Sequence, residues 1–344
     1  MLIIDDSAVA RKAIEKLAKD FGYAFHSVAS AAEADQYLAQ RSVDLITLDL
    51  HMREVNGQKW LHDARRRGLR TPVVIISSAH PSEAQSVLSS LETGAQEYIE
   101  KTTMAEEPDY VRRIFNSLIQ KCERVQTKTH LQTNNINIPF PRTDLILIGA
   151  STGGPYVLSS LLKNMPEDCP PVFVVQHIST NFAESFAQRL QKTSALKMGE
   201  VHDGAEVLPG HLYMALGDYH IGIKKDEGRM IVRTSTNSLI NSHRPSVDFL
   251  FRSAVGLRFN VVAAILTGMG HDGARGIAEL KSDGAFTIAQ SEEDCVIFGM
   301  PNEAIRCGGI SYVGTVPEIR KVLNLAISLR AIPPREELWR KKLG

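Results

Sequence analysis

The stretch DLILIGASTGGPYVL, Asp144 to Leu158, decides how the second half of the chain is read. An apolar run ends abruptly at Ser151, and Gly153, Gly154 and Pro155 follow before apolar residues resume at helical spacing. A buried strand running into a helix start fits this pattern. A hydroxyl at such a junction has three uses: part of a phosphate cradle, a nucleophile, or an ordinary tight turn. Two further runs downstream, PVFVVQH and FNVVAAILTG, have the same form, each followed by turn or helix signals. The segments GHLYMAL and HIGIKK read as a short hairpin on one flank. The second half is therefore expected to be a doubly wound, mostly parallel α/β domain.

Upstream, the runs LII, HSVA, VDLITLDL, PVVIISS and EYIEK alternate with amphipathic segments such as the one carrying Ala84, Val87, Leu88 and Leu91. Five βα units imply a five-stranded parallel sheet covered on both faces. Its last helix is expected to start near Pro108 and to bury Val111, Ile114, Phe115, Leu118 and Ile119. The polar stretch VQTKTHLQTNNINIPFPR has no periodicity, so a linker is placed at 124–142. The expected organisation is a first domain at 1–123, a second at 143–332 and a tail at 333–344.

Composition excludes several classes. Lys+Arg and Asp+Glu number 39 each, so no global basic surface points to nucleic acid. The short cluster Arg65, Arg66, Arg67 reads as a solvated helix end. Cys122, Cys169, Cys295 and Cys307 form no CxxC pair and read as reduced thiols rather than a disulfide frame or zinc site. Asp5 and Asp6 stand where a signal peptide would be positive. No apolar run approaches the roughly 20 residues that span a bilayer. A cytoplasmic protein without direct membrane insertion is expected.

Chemistry gathers at two sets of strand ends. Asp5, Asp6 and Asp49 each follow an apolar run in the first domain, and Ser77 and Lys101 follow two more. In a parallel sheet these ends share one edge. Clustered carboxylates repel unless a hard cation sits between them, and Mg²⁺ takes carboxylates, waters and a phosphate. A nearby lysine would pair with an added phosphoryl group. In the second domain the three runs deliver Ser151, His177 and Asp272. If those strands are parallel neighbours, a hydroxyl, an imidazole and a carboxylate line one edge, the parts of an activated nucleophile. Gly153 and Gly154 would leave backbone N–H groups uncovered beside Ser151, and Met269 in TGMG could add another donor. Each piece alone also reads as a turn or a structural histidine. A nucleotide-binding module is the competing reading, with GASTGG at a helix N-terminus. Against it, there is no P-loop Lys-Ser/Thr and no acid about 20 residues further on. A catalytically silent docking domain is the third.

Residues 1 to about 122 resemble the receiver domain of two-component response regulators. The resemblance implies Asp49 as phosphoacceptor, Asp5, Asp6 and Asp49 at Mg²⁺, Ser77 and Lys101 as phosphoryl contacts, Tyr98 as switch aromatic, and a sensor histidine kinase as phosphodonor. The chain departs from that family at Met52-Arg53, Asn56 and Thr102, where methionine-proline, aspartate and proline are usual. Because a non-proline cis bond costs about 2.5–4 kcal/mol, Lys101–Thr102 is expected to be trans. From about 144 to 330, GASTGGP, VVQHIS, HRPSVDFLF, LTGMGHDGARG and FGMPNEA are similar, in order, to motifs of the chemotaxis protein-glutamate methylesterases. This second resemblance implies Ser151 as nucleophile, His177 as base and Asp272 as its orienter, with no cofactor for the esterase reaction. It places Thr152 and Met269 at the site, His243 and Arg244 in a loop bordering it, and glutamate methyl esters on chemoreceptor cytoplasmic helices as substrate. Glutamine deamidation by the same acyl chemistry and control by a covering receiver are also implied. Leu216 and Tyr219 depart from the family's proline and arginine.

Overall fold

A computed structural model describes residues 1–53, 55–78, 80–124, 138–139, 142–163 and 165–328. The chain divides into two compact units, Met1–Leu131 and Gln132–Gly344. Most of the linker expected over 124–142, and the whole tail at 333–344, lie outside the described residues.

The first unit runs β1 (Leu2–Ile4), α1 (Ala8–Asp20), β2 (His26–Val28), α2 (Ala31–Leu38), β3 (Ile46–Asp49), α3 (Gly57–Arg66), β4 (Val73–Ser77), α4 (Ala84–Glu92), β5 (Glu97–Glu100), α5 (Lys101–Glu106) and α6 (Pro108–Arg124). Its five strands pair in parallel in the order β2-β1-β3-β4-β5. β1, β3 and β4 are buried along their whole length, as a sheet covered on both faces requires. Side-chain caps start the helices: Ser7 for α1, Ser30 for α2 and Asn56 for α3. The order reverses between β1 and β3, which opens a crevice above Asp5 and Asp49.

Two expectations are corrected here, and one element comes in addition, while the last helix starts at Pro108 as expected. A short α5 begins at Lys101, directly after β5, ahead of the helix at Pro108. Its six residues bury only Met104, too little to leave a periodic signal. Ile119 is half-buried rather than buried. Arg65 is not a solvated helix end: its guanidinium donates to the carbonyls of Leu69, Thr71 and Gly94 at 2.8–2.9 Å. Arg66 and Arg67 are exposed, as expected.

The second unit runs β6 (Leu145–Ala150), α7 (Gly154–Leu162), β7 (Val172–Gln176), α8 (Thr180–Thr193), β8 (Lys197–Met198), β9 (His211–Met214), β10 (His220–Asp226), β11 (Arg229–Ser235), α9 (Val247–Ser253), β12 (Val261–Ile265), α10 (Ala274–Ser282), β13 (Phe286–Gln290), α11 (Met300–Arg306), β14 (Tyr312–Gly314) and α12 (Val316–Ser328). Seven strands form one parallel sheet in the order β14-β13-β12-β6-β7-β9-β8. β6, β7 and β12 are fully buried. They stand side by side with β6 in the middle, so the ends carrying Ser151 and His177 are neighbours and the loop after β12 adjoins them.

The expected flanking hairpin pairs differently. β9 joins the main sheet beside β7, and β10 pairs with β11 instead. The turn between β10 and β11 runs through Glu227 at φ 46° and Gly228 at φ 85°, a two-residue left-handed turn that suits a hairpin. β9 is buried from Leu212 to Met214, and Tyr213 stacks on Phe173 of β7 at 4.5 Å. That burial on both faces places β9 inside the sheet rather than on a flank.

Candidate active site

The second unit's edge is organised around Asp272, which is 1% exposed. Its Oδ1 accepts from Ser246 Oγ (2.7 Å), Asn241 Nδ2 (2.8 Å) and the backbone N–H of Asp248 (3.2 Å). Its Oδ2 accepts from the backbone N–H of Val247 (2.7 Å) and from His177 Nε2 (2.9 Å). Burial works against the charge of Asp272, but the bonds from His177, Asn241 and Ser246 outweigh it and hold the carboxyl well below the usual carboxylate range. A carboxylate so held is an acceptor only, so Nε2 of His177 carries the proton it donates.

In the neutral ring Nδ1 of His177 is then the accepting nitrogen. It is buried and has no hydrogen-bond partner among the described residues. The ring is thus turned the opposite way from the serine-protease arrangement, in which Nδ1 faces the acid and Nε2 the serine. The chemistry survives the reversal, since either nitrogen of a neutral imidazole can accept a proton.

Ser151 and His177 are tied together through the backbone. Ala150 and Gln176 are register partners at the ends of β6 and β7. Gln176 Nε2 donates to the carbonyls of both Ser151 and His177, at 2.9 Å each. On the other side, the Ser151 N–H donates to Thr267 O at 3.0 Å. After the serine the chain turns through Gly153 at φ 78°, and α7 starts at Gly154 with Pro155 in its first turn. Thr152 is buried, and Thr267 Oγ1 donates to its carbonyl at 2.9 Å. Met269 follows Gly268 and is half-buried.

Gly268 packs against the nucleophile position itself. A Cβ there would stand 2.7 Å from Ser151 Cβ and collide with Met300 Sδ. Gly268→Ala is expected to displace the serine and lower kcat/KM by about 100-fold, while the overpacking costs about 1–3 kcal/mol of stability. Steady-state kinetics beside a thermal melt check this, and wild-type kcat/KM would show the contact to be slack.

The loop expected to border the site does so through His243, whose ring stacks on His177 with centroids 3.6 Å apart and planes 11° apart. Arg244 is turned away. Its guanidinium forms a two-pronged pair with Asp218, Nε at 2.6 Å and Nη2 closer, and donates to the carbonyls of Thr236 and Asn237. Tyr219 likewise folds back, its hydroxyl accepting from the Leu216 N–H at 3.3 Å, and Leu216 is 38% exposed. Sequence reasoning missed Gln176, Asn241 and Ser246. The pair Asn241-Ser242 just before the HRPS motif, with Ser246 as the motif's last residue, was the available signal, since such side chains bond backbone and carboxylates.

The first unit gathers its own constellation. Carboxylate oxygens of Asp5, Asp6 and Asp49 lie within 4.8 Å of one another. Lys101 Nζ stands 3.4 Å from Asp5 and 3.3 Å from Asp49. Burial, then the charge of Asp49, raises the Asp5 carboxyl above its ordinary value. Burial also works against Lys101, but the two carboxylates outweigh it and strengthen its hold on its proton. The Ser77 hydroxyl is buried without a partner among the described residues. Tyr98 sits half-buried on β5, in register with Ile75. Three carboxylates whose one close ammonium is that of Lys101 offer oxygen donors that suit a hard divalent cation, so the residues present fit Mg²⁺. Arg53 donates its backbone N–H to Asp6 at 3.1 Å, and its guanidinium, on a 91% exposed side chain, stands 3.6 Å away. An exposed pair of this kind is worth about 0–1 kcal/mol. Asn56 caps α3 rather than joining the acids. The cis peptide among the described residues is Arg244–Pro245, and Lys101–Thr102 is trans as expected.

Comparison with known proteins converges on one family. The family model described as CheB methylesterase matches residues 146–323, and that of the response regulator receiver domain matches 1–114. A protein-glutamate methylesterase/protein-glutamine glutaminase 2 of Shewanella sp. (strain MR-7) is 35% identical over 96% of this chain and 98% of its own. A protein-glutamate methylesterase/protein-glutamine glutaminase 1 of Xanthomonas campestris pv. campestris is 37% identical with the same coverage. The crystal structure of the Thermotoga maritima CheB methylesterase catalytic domain covers 53% of this chain and 97% of its own, at 40% identity and a TM-score of 0.50. With a receiver ahead of a sheet edge that carries serine, histidine and aspartate, and with relatives matched over nearly their full length, the chain belongs to the CheB methylesterase family.

Proposed function

We propose that this protein is a phosphorylation-regulated serine esterase. It hydrolyses glutamate methyl esters on chemoreceptor cytoplasmic helices, releases methanol, and deamidates receptor glutamines by the same route. The observation that carries this reading is the His177–Asp272 hydrogen bond, with an unengaged Nδ1, at the sheet edge where Ser151 directly follows β6.

In the reaction, Nδ1 of His177 takes the Ser151 proton as Oγ attacks the ester carbonyl. Asp272 holds Nε2–H and stabilises the imidazolium that results. Backbone N–H groups around Thr152, Gly153 and Met269 receive the developing oxyanion, each such donor being worth about 2.7–4 kcal/mol, whereas the Gly154 N–H expected to join them already donates to the Ser151 carbonyl at 2.8 Å. The imidazolium returns its proton to the leaving methoxide. Water, deprotonated by the same nitrogen, then releases the glutamate carboxylate. With glutamine the leaving group is ammonia and the product is again glutamate.

We assign the receiver to 1–123 and the catalytic domain to 143–332. Asp49 accepts the phosphoryl group from a sensor histidine kinase, and Asp5, Asp6 and Asp49 would hold the Mg²⁺ that supplies charge neutralisation during transfer. Ser77 and Lys101 meet the phosphoryl oxygens, and Tyr98 is the aromatic that responds. The triad acts without a cofactor. Among the described residues no helix is long and apolar enough to cross a membrane, in keeping with a cytoplasmic enzyme acting on the cytoplasmic parts of its receptors.

The test is methanol release from methylated receptor membranes, beside labelling by a serine-directed phosphonate. Release together with a label on Ser151 is expected. A protein that binds receptor but neither releases methanol nor takes the label is a docking module, and the esterase reading is then wrong.

A further inference from the structure

The loop that brings His243 onto His177 is tightly constrained. Two of its residues, Asn241 at φ 51° and Ser242 at φ 67°, lie in the left-handed region that non-glycine residues rarely adopt. Polar anchors hold them there. Asn241 Nδ2 donates to both Asp248 and Asp272, and Ile240 and His243 exchange backbone hydrogen bonds at 3.1 and 2.9 Å. Arg244 fastens the far side through Asp218 and two carbonyls. Strain that surrounding structure over-determines in this way clusters where geometry serves function. What the loop delivers is one imidazole laid flat on another.

Face-to-face contact at 3.6 Å leaves no room for water between the rings. A neutral ring against the face of an imidazolium stabilises the cation, as aromatic faces do. His243 is suited to that part. Burial, reinforced by the neighbouring His177, pushes its pKa down to about 4, so at neutral pH it adds no opposing charge. Asp272 is already committed to Nε2 of the base, so it fixes one point on the ring and leaves rotation about that bond free. A stacked neighbour removes that freedom.

We propose that His243 is a positioning residue of the hydrolytic site: it fixes the ring plane of His177 so that Nδ1 is presented to Ser151 while Nε2 stays on Asp272, and it covers the imidazolium as it forms. The inference rests on the esterase reading, with His177 as base. It differs from a substrate-binding role for the same loop, which would act on KM. It also differs from a purely structural role, in which an aromatic ring would have no advantage over another side chain.

The experiment compares His243→Ala, His243→Asn and His243→Phe in the full-length protein, measuring kcat and KM for methanol release, the rate of phosphonate labelling, and thermal melting. The alanine and asparagine variants, which leave the face of His177 bare, should lose about tenfold or more in kcat with KM within about twofold. Labelling should slow in parallel. His243→Phe restores a flat, non-titrating face and should recover kcat to within about threefold of wild type. Wild-type kcat in either bare variant overturns the proposal. So does a His243→Phe protein that melts normally yet is as slow as the alanine variant, or an effect confined to KM. If one bare variant does not fold, the other and the phenylalanine variant decide. Ser151→Ala separates the two layers: labelling that survives it refutes the esterase reading, whereas its loss beside unchanged His243 variants refutes only the positioning role.

Discussion

Ser151→Ala and His177→Ala should each abolish methanol release, by about 10⁴-fold or more, in a protein that still folds. The two substitutions remove the attacking atom and the imidazole bonded to Asp272 that takes its proton. Neither touches what holds the edge together. The Ser151 carbonyl that Gln176 grips and the N–H that Thr267 accepts are backbone atoms, present in alanine as in serine. Removing His177 takes one hydrogen bond from Asp272 and leaves four others, a loss of about 1–3 kcal/mol against a carboxylate still capped by two backbone N–H groups. The check is kcat/KM beside a melting curve. Near-wild-type turnover in His177→Ala would end the case for this histidine as base, whatever its bond to Asp272.

Asp272→Asn has a double effect, on rate and on stability. Every lone pair of Asp272 that matters here receives a donor: Ser246, Asn241 and Asp248 at one oxygen, Val247 and His177 at the other. An amide replaces one of those oxygens with a second donor, whichever way it turns. At least one buried backbone N–H, that of Val247 or of Asp248, then faces an N–H₂, which costs about 1–3 kcal/mol. The imidazole, no longer met by an acceptor at Nε2, is free to carry its proton on Nδ1, the wrong nitrogen for taking one from Ser151. A loss of about 10³–10⁴ in kcat is expected, short of that in Ser151→Ala. The stability difference from wild type depends on pH. A carboxyl held below its ordinary value contributes fully above the unfolded value of about 3.9, and its contribution fades as the pH falls from there through the folded value. Melting curves should therefore separate the two proteins most above about pH 5 and converge on acidification. A constant gap across that range would mean that the carboxylate's charge is not what holds the loop.

Much of this was legible in the residues. Apolar runs that end in chemistry, such as LILIGA before Ser151 and VDLITLDL through Asp49, are buried on both faces and cannot be surface segments, so they fixed both parallel sheets and both crevices. What could not be read were arrangements that depend on direction rather than on periodicity. GHLYMAL and HIGIKK share a strand-like pattern, yet β9 enters the parallel sheet and β10 leaves it, a choice made by Tyr213 packing on Phe173 far away in sequence. Which imidazole nitrogen faces the acid is invisible in a letter. So is the use of Arg65, which looks like one more surface charge until three carbonyls converge on it. Arg244 was placed in the right loop, but the partner that turns it aside, Asp218, lies 26 residues earlier and bears no mark of that role.

β6 lies between β7 and β12, and this has a consequence for how the enzyme is made. His177 and Asp272 are 95 residues apart, and Thr267 reaches Thr152 across 115. At about 5–20 residues per second, a ribosome needs on the order of 5–20 s to go from the base to the acid. Throughout that interval β6 is the edge of an unfinished sheet: β9 can join β7 on the far side as it emerges, but the open side of β6 awaits β12, the kind of edge that recruits other chains. Nascent chains are thus inactive and sticky at once, and they become an enzyme only when Val261–Ile265 closes the gap and Asp272 arrives behind it. A truncation before that point should give aggregates rather than a weak esterase, and cells making this protein have reason to keep the growing chain covered until its last third has emerged.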